Sequence, residues 1–265
     1  MKQRVITGVL GAGAYLALLF LGASWYSGLL AVLATLSFLE FGQMKLGQWK
    51  GPHVLLGLLL VWSILWNSVS VFLKIPVPSI LTFPNLWLLG IVLFFVLIVL
   101  SKNKVTIDHI AYLSLGALYI GYGFAIMIET IWQKNGLALT LMVLFTTWAS
   151  DSGAYFVGKR FGKRKLWPAI SPNKTIEGSL GGVLVGTLLT LVIGLCYDLG
   201  QIPTLIGLGI IISFVGQFGD LVESAIKRTT GVKDSGNILP GHGGVFDRFD
   251  SLIFTFIILR LIEVL

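Results

Sequence analysis

Nine stretches of this chain are apolar for long enough to cross a lipid bilayer, and that repetition constrains its fold more than any other feature. They fall at roughly 5–22, 24–42, 53–74, 86–101, 108–132, 136–157, 178–198, 202–226 and 248–264. A spanning helix needs about 20 mostly apolar residues, because each residue advances only about 1.5 Å through some 30 Å of hydrocarbon. Inside lipid every backbone N–H and C=O must find a partner within the protein, which restricts spans to helices or closed barrels. The runs lack the period-two alternation of a membrane barrel, so strands are not expected. The first run follows Lys2 and Arg4 as a secretory signal would, but eight more spans come after it, and we read it as an uncleaved first helix. The expected fold class is all-α: a polytopic integral membrane bundle of about nine transmembrane helices.

Charge placement agrees with that reading. Of the 265 residues, 12% are charged, against about 25% in a soluble domain. The net charge of +7 raises the question of nucleic acid, and the positions of the cations answer it. With the N-terminus in the cytoplasm, sixteen of the nineteen Lys and Arg residues fall in cytoplasmic segments; Lys74, Lys134 and Arg260 fall near the opposite side. That asymmetry is the positive-inside rule, so no nucleic-acid partner is expected. It orients the C-terminus to the far side, and the expected location is the inner (cytoplasmic) membrane, as a multi-pass chain. The single cysteine, Cys196, excludes an intrachain disulfide and a Cys-cluster metal site; it reads as inert packing. Gly178, Gly182 and Gly186 repeat at four-residue spacing, which permits close helix–helix approach.

The two halves of the chain differ. Residues 1–140 have thin loops and read as a scaffold for lipid access and oligomer contacts. Residues 141–265 hold nearly all the chemistry, with cytoplasmic loops at 158–177 and 227–247. Ionisable groups within spans are costly, at about 2.5–3.5 kcal/mol each on insertion scales, so those present need a reason. Asp151 lies toward the cytoplasmic end of the sixth span. Asp220, Glu223, Ser224 and Lys227 sit at i, i+3, i+4 and i+7 in the eighth and share one helix face. Asp247 and Asp250 lie one turn apart on the ninth. The loop between, 229–246, contains Gly231, Gly236, Gly241, Gly243 and Gly244; such a loop ending at a helix N-terminus suits an anion. The span carboxylates Asp220, Glu223, Asp247 and Asp250, the cations Lys227, Arg228, Lys233 and Arg248, and five glycines within about thirty residues form the composition of a site for metal-assisted phosphoryl or nucleotidyl transfer, with Mg²⁺ as the hard divalent ion. The alternative is a set of buried ion pairs joining the last two helices. Glu40 and Glu129 lie near span ends, where a carboxylate that reaches water needs no function, and His53 and His109 read as interfacial. A G-x-x-x-x-G-K match at Gly153, Gly158 and Lys159 is rejected as a phosphate loop: Arg160 follows, and the segment belongs to a span.

The segment SAIKRTTGVKDSGNILPGHGGVFDRFD, residues 224–250, resembles the signature of the phosphatidate cytidylyltransferases, or CDP-diacylglycerol synthases. Its fixed positions run from Ser224, Lys227 and Arg228 through Lys233 and Asp234 to His242, Gly243, Gly244, Asp247, Arg248 and Asp250. The stretch from Asp151 to Gly178 is similar to the same family in its D-x-G-A-Y-F-x-G and S-P-x-K-T-x-E-G elements, with Asn173 where that pattern has a second lysine. The resemblance implies an Mg²⁺-dependent membrane enzyme that joins CTP and phosphatidic acid into CDP-diacylglycerol and pyrophosphate. It also implies Asp220 and Asp247 as the metal pair with Asp250 close by, a second, monovalent cation such as K⁺, and a homodimer among membrane lipids. On that basis Lys227, Arg228, Lys233 and Arg248 neutralise phosphates, and Gly243 and Gly244 offer N–H donors. Ser171, Asn173, Lys174 and Thr175 form a second wall, and Asp151, Glu223, Ser224 and Asp234 complete the substrate site. His242 is either a general acid toward pyrophosphate or a loop histidine that fixes backbone carbonyls. The rival activities are a CTP-dependent polyprenol or lipid kinase and a transporter.

Overall fold

The computed structural model describes residues 2–47, 50–79, 82, 84–239, 241 and 243–265. Among these residues the chain forms nine helices and one two-stranded hairpin. The helices are α1 (Lys2–Phe20), α2 (Ala23–Leu46), α3 (Pro52–Leu73), α4 (Asn85–Leu100), α5 (Ile107–Ile131), α6 (Gly136–Phe161), α7 (Ile176–Cys196), α8 (Ile202–Thr230) and α9 (Phe246–Leu261). The protein is an all-α polytopic membrane protein. Helices α2, α3, α5, α7 and α8 are long and apolar enough to cross a bilayer by length and composition. Helix α4 is apolar throughout but has 16 residues. Helix α6 has 26, and carries Asp151, Lys159 and Arg160.

Local chemistry sets the helix ends. Pro52 and Pro203 stand in the first turns of α3 and α8, where a missing N–H costs nothing. Thr106 and His109 form a reciprocal capping box on α5. Gly47 and Gly231 close α2 and α8 in the left-handed conformation, the usual helix stop for a residue without a Cβ.

The hairpin was not foreseen. Strand β1 (Lys165–Trp167) pairs antiparallel with β2 (Ser171–Thr175), with Lys165 opposite Thr175 and Trp167 opposite Ser171. Ile170 N–H donates to the Trp167 carbonyl at 3.1 Å, closing a turn with Pro168 at its second position. That is a common turn geometry for proline, and it was the readable signal within the loop expected at 158–177.

The chain forms two compact units. The first comprises Met1–Trp132 and Val232–Arg248. Its core gathers Phe38, Val61, Leu113, Ala117, Ile120 and Phe124, all fully buried. Gly57 faces the Phe38 ring and Gly116 the Phe41 ring, so small residues let α2, α3 and α5 close on aromatic side chains. The second unit comprises Gln133–Gly231 and Phe249–Leu265. There the glycine ladder of α7 packs as its spacing implied. A Cβ at Gly182 would stand 2.6 Å from the Ser150 carbonyl of α6, and one at Gly186 would collide with Ser213 of α8. Polar clasps cross the seams so opened: Thr146 and Thr190 hydroxyls meet at 2.8 Å, and Gln217 Nε2 donates to Ser150 Oγ at 3.0 Å and to the Ser179 carbonyl at 3.2 Å. Cys196, expected to be packed, is exposed at the end of α7; the outer side of this helix, with Leu184, Leu188, Val192 and Leu195, faces away from the bundle.

Gly186→Leu should therefore destabilise the detergent-solubilised protein by about 1–3 kcal/mol, the usual range for overpacking. Gly207→Ala, at a position with open space, should leave the thermal midpoint unchanged or slightly raised. Equal midpoints for the two variants would contradict the packing described for α7.

Candidate active site

In the second unit, the face of α8 predicted to be polar is polar and internally paired. Ser224 Oγ donates to Asp220 Oδ1 at 3.3 Å, and Lys227 Nζ lies 2.5 Å from Glu223 Oε2. The hairpin supplies a second cation: Lys174 Nζ on β2 reaches Asp220 Oδ2 at 2.7 Å and the Gln217 carbonyl at 3.3 Å. Helix α9 adds Asp250, which is 7% exposed. Asp220, Glu223 and Asp250 each present an oxygen within 4.8 Å of the others. Gly219 explains how α9 comes so near. A Cβ there would lie 2.8 Å from Phe254 Cβ, 3.0 Å from Ser251 Cα and 3.2 Å from the Asp250 carbonyl, so α8 and α9 touch backbone to backbone one residue before Asp220. The rings of Phe218 and Phe254, 5.8 Å apart, flank that crossing.

Two lysines against three carboxylates leave the ionised group one negative charge over. Away from bulk water such an excess is costly unless a cation or a proton neutralises it. Carboxylate oxygens are the ligands of hard divalent ions, so the donor set present here fits Mg²⁺.

The first unit contains the loop from Val232 and the first turn of α9. Here the Asp247 carboxylate accepts the N–H groups of Ser235, at 3.0 and 3.2 Å, and of Gly244, at 2.8 Å. Gly241 and Gly243 have φ of 77° and 80°, a conformation that glycine adopts freely, and a Cβ on Gly243 would run into Asp247. Leu239 N–H donates to the Gly243 carbonyl at 3.0 Å. Glu40, expected to reach water at a span end, is instead 2% exposed. Its Oε2 accepts from Phe246 N–H at 2.9 Å and from Ser235 Oγ at 3.3 Å. A cavity of about 420 Å³ opens beside this arrangement, lined by Gln43 and Met44 of α2, by Gly47 at its end and by loop residues that include Asp234, Ser235 and Asn237.

The remaining predicted residues divide by environment. Asn173, Arg228, Lys233, Asp234 and Arg248 are exposed, as is Asp151 on α6; Ser171 on β2 is half-buried. Arg228 Nε donates to the Ile170 carbonyl at 3.4 Å, which ties the end of α8 to the hairpin turn. Thr175, expected to face substrate, is the N-cap of α7 and accepts Gly178 N–H at 3.1 Å. The N–H of Gly244, expected for phosphate, is engaged by Asp247. His242 lies outside the described residues. Glu177 was missed as an organiser: its carboxylate accepts the N–H groups of Lys163 and Arg164 at 3.0–3.2 Å and shapes the basic segment before β1. His53 and His109 stack at 6.2 Å, with His53 buried. Gly153 and Gly158 are helical, as their rejection as a phosphate loop required.

The sequence matches the model of the cytidylyltransferase family over residues 2–265. The chain belongs to that family. Among relatives of this cytidylyltransferase, the phosphatidate cytidylyltransferase of Bacillus subtilis is 42% identical over 257 residues, covering 96% of this chain and 94% of the relative. The phosphatidate cytidylyltransferase of Staphylococcus saprophyticus is 36% identical over 269 residues, covering 99% and 98%. That of Staphylococcus epidermidis reaches 47% over 165 residues, covering 62% and 63%. The similarity is thus not confined to the C-terminal signature; it runs through the N-terminal helices as well. As a member of the family this cytidylyltransferase is a nucleotidyltransferase enzyme.

Thr175→Ala should cost the cytidylyltransferase about 1 kcal/mol of stability, as loss of a helix cap does, and Thr175→Ser should restore it. Thermal unfolding in detergent checks this; an unchanged midpoint in the alanine variant would return Thr175 to the substrate wall.

Proposed function

We propose that this enzyme is a phosphatidate cytidylyltransferase, transferring CMP from CTP to phosphatidic acid with release of pyrophosphate. The observation that carries the reading is the convergence of Asp220, Glu223 and Asp250 beside Lys174 and Lys227, of which Lys227 and Asp250 belong to the segment that resembles the signature. Full-length similarity to proteins of that name supports it.

The lipid phosphate is already an anion at neutral pH, so no residue need remove a proton from it. One of its oxygens forms a bond to the α-phosphorus of CTP as the bond to the β-phosphate oxygen breaks, and pyrophosphate leaves with that electron pair. The protein's work is positioning and charge compensation. Bound Mg²⁺ would supply charge neutralisation for the nucleotide phosphates; Asp220 and Asp250 would hold it, and the resemblance adds Asp247 as a ligand. Lys174 and Lys227 exchange their carboxylate partners for phosphate oxygens when substrate binds. Lys233, Arg228 and Arg248, exposed and cationic, draw the triphosphate in. A monovalent cation beside Mg²⁺, a homodimer, and a site facing the cytoplasm from the inner membrane complete the proposal. The cytoplasmic assignment rests on the distribution of Lys and Arg.

Purified protein given phosphatidic acid, Mg²⁺ and CTP labelled at the α-phosphorus should produce labelled lipid. Label reaching lipid only from the γ position would replace the proposal with a lipid kinase, and solute uptake without CTP turnover would replace it with a transporter. Asp220→Asn and Asp247→Asn should each abolish turnover without loss of the folded protein in detergent. Near-normal rates in either would remove that residue from the metal site.

A further inference from the structure

Most of the polar groups near the signature belong to the signature itself, but one buried carboxylate comes from far away in the sequence. Glu40 lies on α2, and the groups it holds lie about two hundred residues later: the Ser235 hydroxyl and the Phe246 N–H, both on Oε2. Its other oxygen has no hydrogen-bond partner among the described residues. The loop is shaped to receive this side chain. A Cβ on Gly236 would stand 2.5 Å from Glu40 Oε1, and one on Gly244 would strike both Ser235 and Glu40. Phe246, fully buried, turns its ring edge-on to Phe41 at 5.8 Å and Tyr119 at 6.4 Å, so the residue next to Glu40 on α2 grips the same point.

Ser235 joins this contact to the chemistry. Its hydroxyl is held by Glu40 while its N–H is held by Asp247, and Gly244 N–H binds Asp247 from the other side. Two carboxylates, one from α2 and one from the signature, therefore share a single serine. We propose that Glu40 is a positioning residue for cytidylyl transfer: it fixes Ser235 and the start of α9, and through them the orientation of the Asp247 carboxylate. Buried hydrogen-bonded groups behind a metal-binding carboxylate fix its direction in this way. The role needs an acceptor oxygen at the Oε2 position and not a full negative charge, so glutamine can fill it and leucine cannot. The inference rests on the reading that the signature forms the cytidylyl-transfer site.

The test compares Glu40→Leu, Glu40→Gln and Ser235→Ala with the wild type, all as full chains in detergent or nanodiscs. Amide hydrogen exchange over 235–246 should quicken in Glu40→Leu and Ser235→Ala and stay near wild type in Glu40→Gln. In the same order, half-saturating Mg²⁺ should rise or kcat fall by about 10- to 100-fold in Glu40→Leu, the usual effect of losing such a support, with a smaller change in Ser235→Ala. The KM for phosphatidic acid should not move. Should Glu40→Leu fail to fold, Ser235→Ala against Glu40→Gln still decides. Unchanged exchange and Mg²⁺ dependence in Ser235→Ala, or a loss in Glu40→Gln as large as in Glu40→Leu, overturns the proposal. A wild type that makes no CDP-lipid ends the cytidylyltransferase reading instead, while the exchange data still decide whether Glu40 holds the loop.

Discussion

Charge inside a membrane protein persists only where something neutralises it, and that constraint organises this molecule. Asp220, Glu223 and Asp250 stand together with Lys174 and Lys227 beside them, which offsets part of their charge. The carboxylates come from two helices whose approach depends on Gly219, and Lys174 comes from a hairpin between two other helices. A partner removed from such a group leaves an uncompensated charge, which is a heavier penalty than loss of the pair as a whole. The hairpin, the α8–α9 crossing and the polar face of α8 are therefore one device.

Hydrophobic periodicity made much of this legible. The nine apolar runs correspond to the nine helices found among the described residues, and the i, i+3, i+4, i+7 spacing of Asp220, Glu223, Ser224 and Lys227 placed them on one face. The Gly178–Gly182–Gly186 ladder announced close packing, and a Cβ at Gly182 or Gly186 would run into the neighbouring helices. These features are local, and local pattern is what a single sequence displays. Contacts between distant residues were not legible. Nothing near Lys174 says that it will reach Asp220, and nothing near Glu40 says that it will be buried under residues 235 and 246. The partners of Thr175 and Gly244 within the chain were hidden for the same reason. A threonine before a helix and a glycine in an anion-friendly loop can each serve the fold or a ligand, and only the partner that each one meets decides.

The division into two units adds a functional point. Val232–Arg248 belongs with the N-terminal helices, while Phe249 onward belongs with α6 to α8. Helix α9 thus begins in one unit and continues in the other, with Asp247 and Asp250 one turn apart on either side of the change. The N-terminal helices, which carry few ionisable residues of their own, hold the glycine-rich loop through Glu40 and Phe41.

The central claim is that the acidic side chains of the last two helices hold a divalent cation. Crystals of the protein soaked in Mn²⁺ as a stand-in for Mg²⁺, with data collected for anomalous scattering, test it most directly. The account predicts a strong anomalous peak within bonding distance of carboxylate oxygens of Asp220 and Asp250. A peak elsewhere in the protein, or none in crystals whose carboxylates are well ordered, would contradict it.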